Sequence, residues 1–238
     1  MFIPENRIIV IVGHYGSGKS EIAINMALLF SMLNSSEGYQ GHKGLDDSPI
    51  FLIDLDIVNP YFRSREQKDV LESNGIKVIA SAEDFPNGDL PYMPESILAL
   101  FDNPKARGVL DIGGDAAGAR VLARYRDRLV GEDIGVYLVI NGNRPMSKEV
   151  REIKKYISDI QGASGIRITG LINNTHLLGE TDKRDVLRGM EIAKRVEEET
   201  GIPLVANCVR RELAEEFGEE EFNPIMPLTI HLKKPWER

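Results

Sequence analysis

Short apolar runs alternate with longer amphipathic segments along most of the chain. Residues 7–12 are apolar after the leading arginine and predict a buried strand. Residues 19–33 place Ile22, Met26, Leu29 and Leu33 on one stripe at helical spacing. The rhythm continues with strands over 49–54, 76–80, 108–111, 133–140, 167–173 and 202–208. Between them the pattern predicts helices over 63–74, 94–102, 117–129, 147–161, 181–200 and 211–217. Gly75 and Gly201 supply two helix stops, and Ser147 is the expected N-cap of its helix.

Two stretches break the rhythm. Residues 34–48 are rich in Gly, Ser and Asp and read as an exposed insertion, long for a connection between a strand and a helix. Residues 81–93, with Pro86, Gly88 and Pro91, read as a loop. Strands alternating with helices predict an α/β fold: a three-layer α/β/α sandwich around a mostly parallel sheet. No internal repeat or linker is visible, so residues 1–238 are read as one domain. Ligands of such folds sit beyond the carboxyl ends of the strands, which directs attention to the loops there.

One of those loops carries a complete phosphate-binding signature. Gly13-His14-Tyr15-Gly16-Ser17-Gly18-Lys19-Ser20 matches G-x-x-x-x-G-K-[ST] between an apolar strand and an amphipathic helix. Glycines let backbone N–H groups turn onto phosphate oxygens, and the helix N-terminus adds its positive end. Lys19 reaches the β- and γ-phosphates in this arrangement, and the Ser20 hydroxyl ligates Mg²⁺. The pattern therefore predicts a P-loop NTPase fold that binds Mg²⁺ and a nucleoside triphosphate.

Two further loops carry carboxylates. The strand over 49–54 ends in Asp54-Leu55-Asp56, two acids on one face of the strand. Asp56 is a candidate for the metal shell or for orienting the attacking group, with Asp54 behind it. The strand over 108–111 ends in Asp111 and continues as Ile112-Gly113-Gly114-Asp115. An acid there matches the Walker-B position, which holds Mg²⁺ through water, and Gly114 suits a loop whose N–H meets the γ-phosphate.

Together these segments resemble the MinD/ParA/nitrogenase-iron-protein group of P-loop ATPases, over residues 7–209 by order of motifs. The run 54–66 is also similar to that of prokaryotic ATP-binding proteins in the group. The resemblance implies ATP/ADP as ligand, Asp54-Leu55-Asp56 as a first switch and Asp111-x-x-Gly114-Asp115 as a second. It implies catalytic roles for Lys19 and Asp56, with Ser20, Asp56 and Asp111 at the metal. The nucleotide contacts it implies are Gly13, Gly16, Ser17, Gly18, Lys19, Ser20, Glu21, Gly114 and Asn173, the last as the reader of adenine. The guanine-specifying N-K-x-D pattern is absent after Asn173.

Three departures qualify this. Most of the group carries a second lysine just after the first P-loop glycine, reaching across a dimer; here that position is His14. Arg63 and Arg65 are candidate substitutes, though they also fit a solvated helix turn. The cluster-binding cysteines of the iron protein and the amphipathic membrane helix of MinD are both missing. The expected function is an ATPase whose switch loops control a protein partner or a homodimer. The alternatives are a phosphotransferase or amide-forming synthase acting on a small metabolite, or a binding module with negligible turnover.

Composition narrows the partners. A formal net charge of −8, from 29 basic and 37 acidic residues, gives no global attraction for nucleic acid or anionic lipid, so neither is an expected partner. The arginines at 120, 124, 126 and 128 read as a solvated helix face rather than a phosphate lid. Cys208 is the only cysteine, which excludes an internal disulfide and fits a reducing compartment. The first seven residues lack the pattern of a signal peptide, and no apolar run approaches the length of a membrane span. A cytoplasmic location is expected.

Overall fold

In the computed structural model of the protein, residues 2–34, 48–56, 67–80, 95–114, 116–217 and 224–232 are described. Eight strands form one sheet in the order β3-β2-β4-β1-β5-β6-β7-β8: β1 (Ile8–Val12), β2 (Ile50–Leu55), β3 (Ile76–Ala80), β4 (Arg107–Ile112), β5 (Ile134–Ile140), β6 (Gly170–Asn173), β7 (Leu204–Arg210) and β8 (Ile225–Leu228). Every pairing is parallel. The helices are α1 (Lys19–Asn34), α2 (Lys68–Ser73), α3 (Glu95–Asp102), α4 (Ala116–Arg124), α5 (Arg126–Leu129), α6 (Val150–Ser164), α7 (Lys183–Thr200) and α8 (Arg211–Ala214).

The period of two in β1 divides the core. Ile8, Val10 and Val12 face a layer built from α3 to α7, whereas Ile9 and Ile11 lie in the opposite layer, with α1, Leu71 of α2 and, further along the sheet, Met226 and Leu228 of β8. The sandwich is thus three layers deep, as the alternation of strands and helices predicts. In α1, Ile22, Met26, Leu29 and Leu33 are buried as expected, but so are Ile24, Ala27 and Phe30. The helix is wedged between the sheet and the C-terminal residues, so its apolar surface exceeds one stripe.

Some local expectations fail for identifiable reasons. Ser147 does not cap α6: it ends a 3₁₀ turn opened by Pro145, and the helix begins at Val150 after Glu149. The predicted 117–129 helix breaks at Tyr125, whose buried ring stacks on Phe101 of α3. At α7 the N-cap is Asp182, which exchanges side-chain and backbone bonds with Asp185 in a capping box. Strand β8 was not expected. It is four residues long and contains Pro227, which an edge strand tolerates because one side of it needs no ladder donor. The insertion at 35–47, the loop at 81–94, and Arg63 and Arg65 lie outside the described residues. Among the described residues, no helix is long and apolar enough to cross a membrane.

The topology reverses at β1. The chain passes from β1 to β2 on one side and reaches β5 on the other, with β4 and β5 flanking β1. The loop after β1 therefore opens into the crevice where ligands of open α/β sheets bind.

Candidate functional site

Residues 13–18 form the loop between β1 and α1, as the motif requires. Its backbone is compatible with glycine alone at key points. Gly18 has φ +88°, and a Cβ there would lie 2.3 Å from Asn174 Nδ2. Several carbonyls of the loop are tied from outside. Asn174 Nδ2 donates to Ser17 O at 2.8 Å, Arg144 Nε to Gly16 O at 3.0 Å, and Lys19 Nζ to His14 O at 3.2 Å. Asn141, at the end of β5, adds a longer bond to Gly16 O at 3.4 Å. Carbonyls anchored this way fix the curvature that lets the remaining amides converge on an anion. The Ser17 hydroxyl is fully buried and lacks a hydrogen-bond partner among the described residues, consistent with a loop shaped around a ligand.

Parallel pairing brings the acids together. Asp54 of β2 is the register partner of Asp111 of β4, and Ile11 of β1 pairs with Asp111 on the other side. Asp111 thus stands beside the end of β1, where the P-loop starts, with Asp54 next to it one strand further out. Asp54 accepts a bond from the Asp56 N–H at 2.9 Å, holding the turn from which the half-buried Asp56 projects. Gly113 lies against Asp56: a Cβ on it would approach Asp56 Oδ1 to 3.0 Å. Gly114 is seated on the P-loop itself, where a Cβ would lie 2.8 Å from both Gly13 O and Tyr15 N. The loop after β4 therefore touches both the P-loop, through Gly114, and the turn at Asp56, through Gly113. Asp115 lies outside the described residues.

Asp111 is a buried acid with a raised pKa. Burial pushes its carboxyl up to about 6, against the Lys19 ammonium and the nearby Ser20 hydroxyl, while the Asp56 carboxylate adds to the rise. Neither of its buried oxygens has a well-formed hydrogen bond. A buried carboxylate left in this state beside a lysine and a serine hydroxyl suits a hard divalent cation with oxygen ligands, which would restore the charged form. Among the described residues no group of three or more metal-binding side chains occurs. Magnesium fits this donor set, because at phosphate sites it keeps several waters and takes only one or two protein carboxylates.

Two expected nucleotide contacts are not at the cleft. Glu21 points its carboxylate away from the P-loop. Oε1 accepts the His231 N–H at 2.7 Å and Oε2 the Leu232 N–H at 3.1 Å. Asn25, one turn on, exchanges two bonds of 2.9 Å with the Thr229 backbone. Glu21 is thus an anchor for residues 229–232, which cross α1 and accept a bond from Gln67 through His231 O. Glu21→Ala is expected to lower stability by about 1–2 kcal/mol through loss of two charge-assisted bonds. Denaturant titration measures this, and hydrogen exchange should show the His231 and Leu232 amides unprotected.

Asn173 is likewise a core residue. Its amide donates to Val186 O at 3.1 Å and Asn207 Oδ1 at 2.9 Å, and its carbonyl accepts from the Thr175 hydroxyl at 2.8 Å. The side chain is wholly buried and every polar atom is used, which corrects its expected role as the adenine reader. Asn173→Ala is expected to cost about 2–3 kcal/mol by stranding buried partners. The preference between adenine and guanine nucleotides should stay unchanged in the folded variant, and competition binding checks this.

His14 folds back over α6. Its ring lies 3.9 Å from that of Tyr156, and Nε2 is buried without a hydrogen-bond partner among the described residues. Burial, then the Lys19 charge, hold the imidazole below its usual range, with Glu152 opposing, so it is neutral at pH 7. His176 is half-buried near Gly18; burial and then Arg144 push it down to about 4. The arginines at 120, 124, 126 and 128 are exposed, and Arg128 pairs with Asp102 at 3.4 Å. Among the groups that the sequence reading missed, Asn141, Arg144 and Asn174 matter most. They lie far from the motif in sequence and reach it only because β5 and β6 follow β1 across the sheet.

No family model and no curated protein matches the chain. Solved structures do match. Chloroplast FtsY from Physcomitrella patens is 16% identical with a TM-score of 0.53, over 84% of this chain and 57% of that one. The cell division protein FtsY from Thermotoga maritima is 16% identical with a TM-score of 0.49, over 86% of this chain and 62% of that one. The chain thus spans less than two thirds of either neighbour. At this identity the likeness is one of fold, and with the 13–20 loop it places the chain in the P-loop NTPase fold class.

Proposed function

We propose that this protein binds Mg²⁺ and ATP at the P-loop and hydrolyses the γ-phosphate, as a switch ATPase of the MinD/ParA type. The placement of the loop after β4 supports this reading most directly: Gly114 rests on the P-loop backbone, Gly113 lies against Asp56, and Asp111 is the register neighbour of Asp54. A change in the phosphates can then act on the loop after β4 and, through Gly113, on the turn at Asp56, which a passive binding site does not require. ATP rather than GTP follows from the resemblance and from the Asn173-Asn174-Thr175-His176 run in place of N-K-x-D.

The residues divide the work by chemistry. The P-loop amides and Lys19 hold the polyphosphate, and Lys19 neutralises charge on the γ-phosphate. Ser20 and Asp111, with Asp56 near them, would hold Mg²⁺. When bound, the ion would offset the negative charge of the phosphates. Asp56 orients a water for in-line attack on the γ-phosphorus; the P–O bond to ADP breaks and inorganic phosphate leaves. Release of phosphate, or exchange of nucleotide, lets the loops around Asp56 and Gly114 rearrange, and a protein partner or a second copy reads the difference.

A phosphate-release assay, with and without candidate metabolites, tests the proposal. Steady release with Mg²⁺·ATP alone is expected. Release only when a metabolite is added would instead assign a phosphotransferase or synthase. Size-exclusion runs in ADP and in a non-hydrolysable ATP analogue test control of a homodimer.

A further inference from the structure

With His14 neutral and turned onto α6, Lys19 is the only cation that the 13–20 loop supplies. A second cation lies against the same loop from outside. Arg144 follows β5 in a tight turn: its N–H donates to Asn141 O at 2.9 Å, and its own carbonyl accepts from Ser147 N–H at 2.9 Å. The turn is buttressed from the β6 side, where the Thr175 hydroxyl accepts the Gly142 N–H at 2.9 Å. From this fixed base the guanidinium reaches the P-loop. Its Nε donates to Gly16 O at 3.0 Å, and a Cβ on Gly16 would lie 2.9 Å from Nε, 3.1 Å from Cζ and 3.3 Å from Nη2.

One donor of the fork is used in this way. Among the described residues no carboxylate pairs with the guanidinium, and the side chain is exposed. An arginine held by its Nε, with both Nη groups uncommitted beside a phosphate loop, has the form that grips an anion with little further ordering. Gly16 also gains a reason: any side chain there would displace the arginine.

Resting on the reading of the P-loop as a nucleotide site, we propose that Arg144 is a nucleotide-positioning residue, whose guanidinium, fixed on Gly16, binds the polyphosphate from the chain's own β5 loop. It supplies from within one chain a charge that the lysine missing at position 14 would supply from a partner.

The test is titration with fluorescent ADP and a non-hydrolysable ATP analogue at low and high salt, for wild type, Arg144→Ala, Arg144→Lys and Lys19→Ala. Thermal melts confirm that each variant is folded. Arg144→Ala is expected to bind about tenfold more weakly or worse, the loss of a charge-assisted contact, and with less dependence on salt. Arg144→Lys should keep the salt dependence while recovering only part of the affinity, because it offers a point charge instead of a fork. Wild-type affinity in Arg144→Ala overturns the proposal. So does weaker binding with unchanged salt dependence, which confines Arg144 to propping Gly16. If wild type binds no nucleotide, or Lys19→Ala binds as wild type does, the nucleotide site itself is misassigned and the proposal falls with it.

Discussion

Replacing Lys19 by alanine is expected to abolish nucleotide binding at concentrations that saturate the wild type, a loss of about a hundredfold or more for a buried cation on a polyphosphate. Two effects add. Lys19, only 7% exposed, is the cation carried by the loop itself, and Arg144, anchored outside on Gly16, does not take its place. It also holds down the Asp111 carboxyl, which burial already pushes up to about 6. Without Lys19 that carboxyl is protonated over more of the neutral range and becomes a poorer ligand for Mg²⁺. The fold is expected to survive, because the strand and helix joined by the loop are held by their own apolar cores. Calorimetric titration with ATP and Mg²⁺, beside a thermal melt, measures both. Wild-type affinity and hydrolysis in this variant would remove the basis for placing nucleotide here.

The second large effect is expected at Asp56. Asp56→Asn should slow phosphate release by about a hundredfold or more, the scale of a positioned acid–base group. It should change nucleotide affinity by less than about threefold, because the side chain is not among those that hold the P-loop. Asparagine keeps the shape against Gly113 and removes only the charge. The Asp56 carboxylate also raises the pKa of Asp111, so its removal favours the charged metal ligand instead of weakening it. Loss of turnover with retained binding is therefore the signature of a role in hydrolysis. Single-turnover phosphate release and equilibrium binding, taken together, separate it from loss of the site. Unchanged turnover would transfer the positioning of water to another group.

The P-loop and the strand-end acids were legible because their chemistry is tied to local spacing. A lysine and a serine must follow a glycine at the head of a helix, and acids at strand ends stand out against apolar runs. What was illegible depends on neighbours in space. Arg144 and Asn174 look like ordinary loop residues until β5 and β6 are placed next to β1. Glu21, one residue past the motif, looks like a nucleotide contact, yet its carboxylate is claimed by amides 210 and 211 residues further on. Asn173 ends a strand where a base reader is expected, but the small Gly189 on α7 admits it and Thr175 into the core. Strand β8 escaped notice because four residues around a proline carry too weak a periodic signal.

The central position of β1 governs how the chain assembles. Ile9 finds its partner at Val109, and Ile8 its other partner at Ile134. The first strand therefore cannot join its sheet until residues about a hundred positions later are available, and long-range parallel pairing of this kind is slow. Meanwhile Ile8–Val12, five apolar residues in succession, stands unpaired and is prone to self-association. The placement that opens the nucleotide crevice at the middle of the sheet also makes folding of its founding strand a late and vulnerable event, so the protein is expected to depend on dilution or chaperones when refolded.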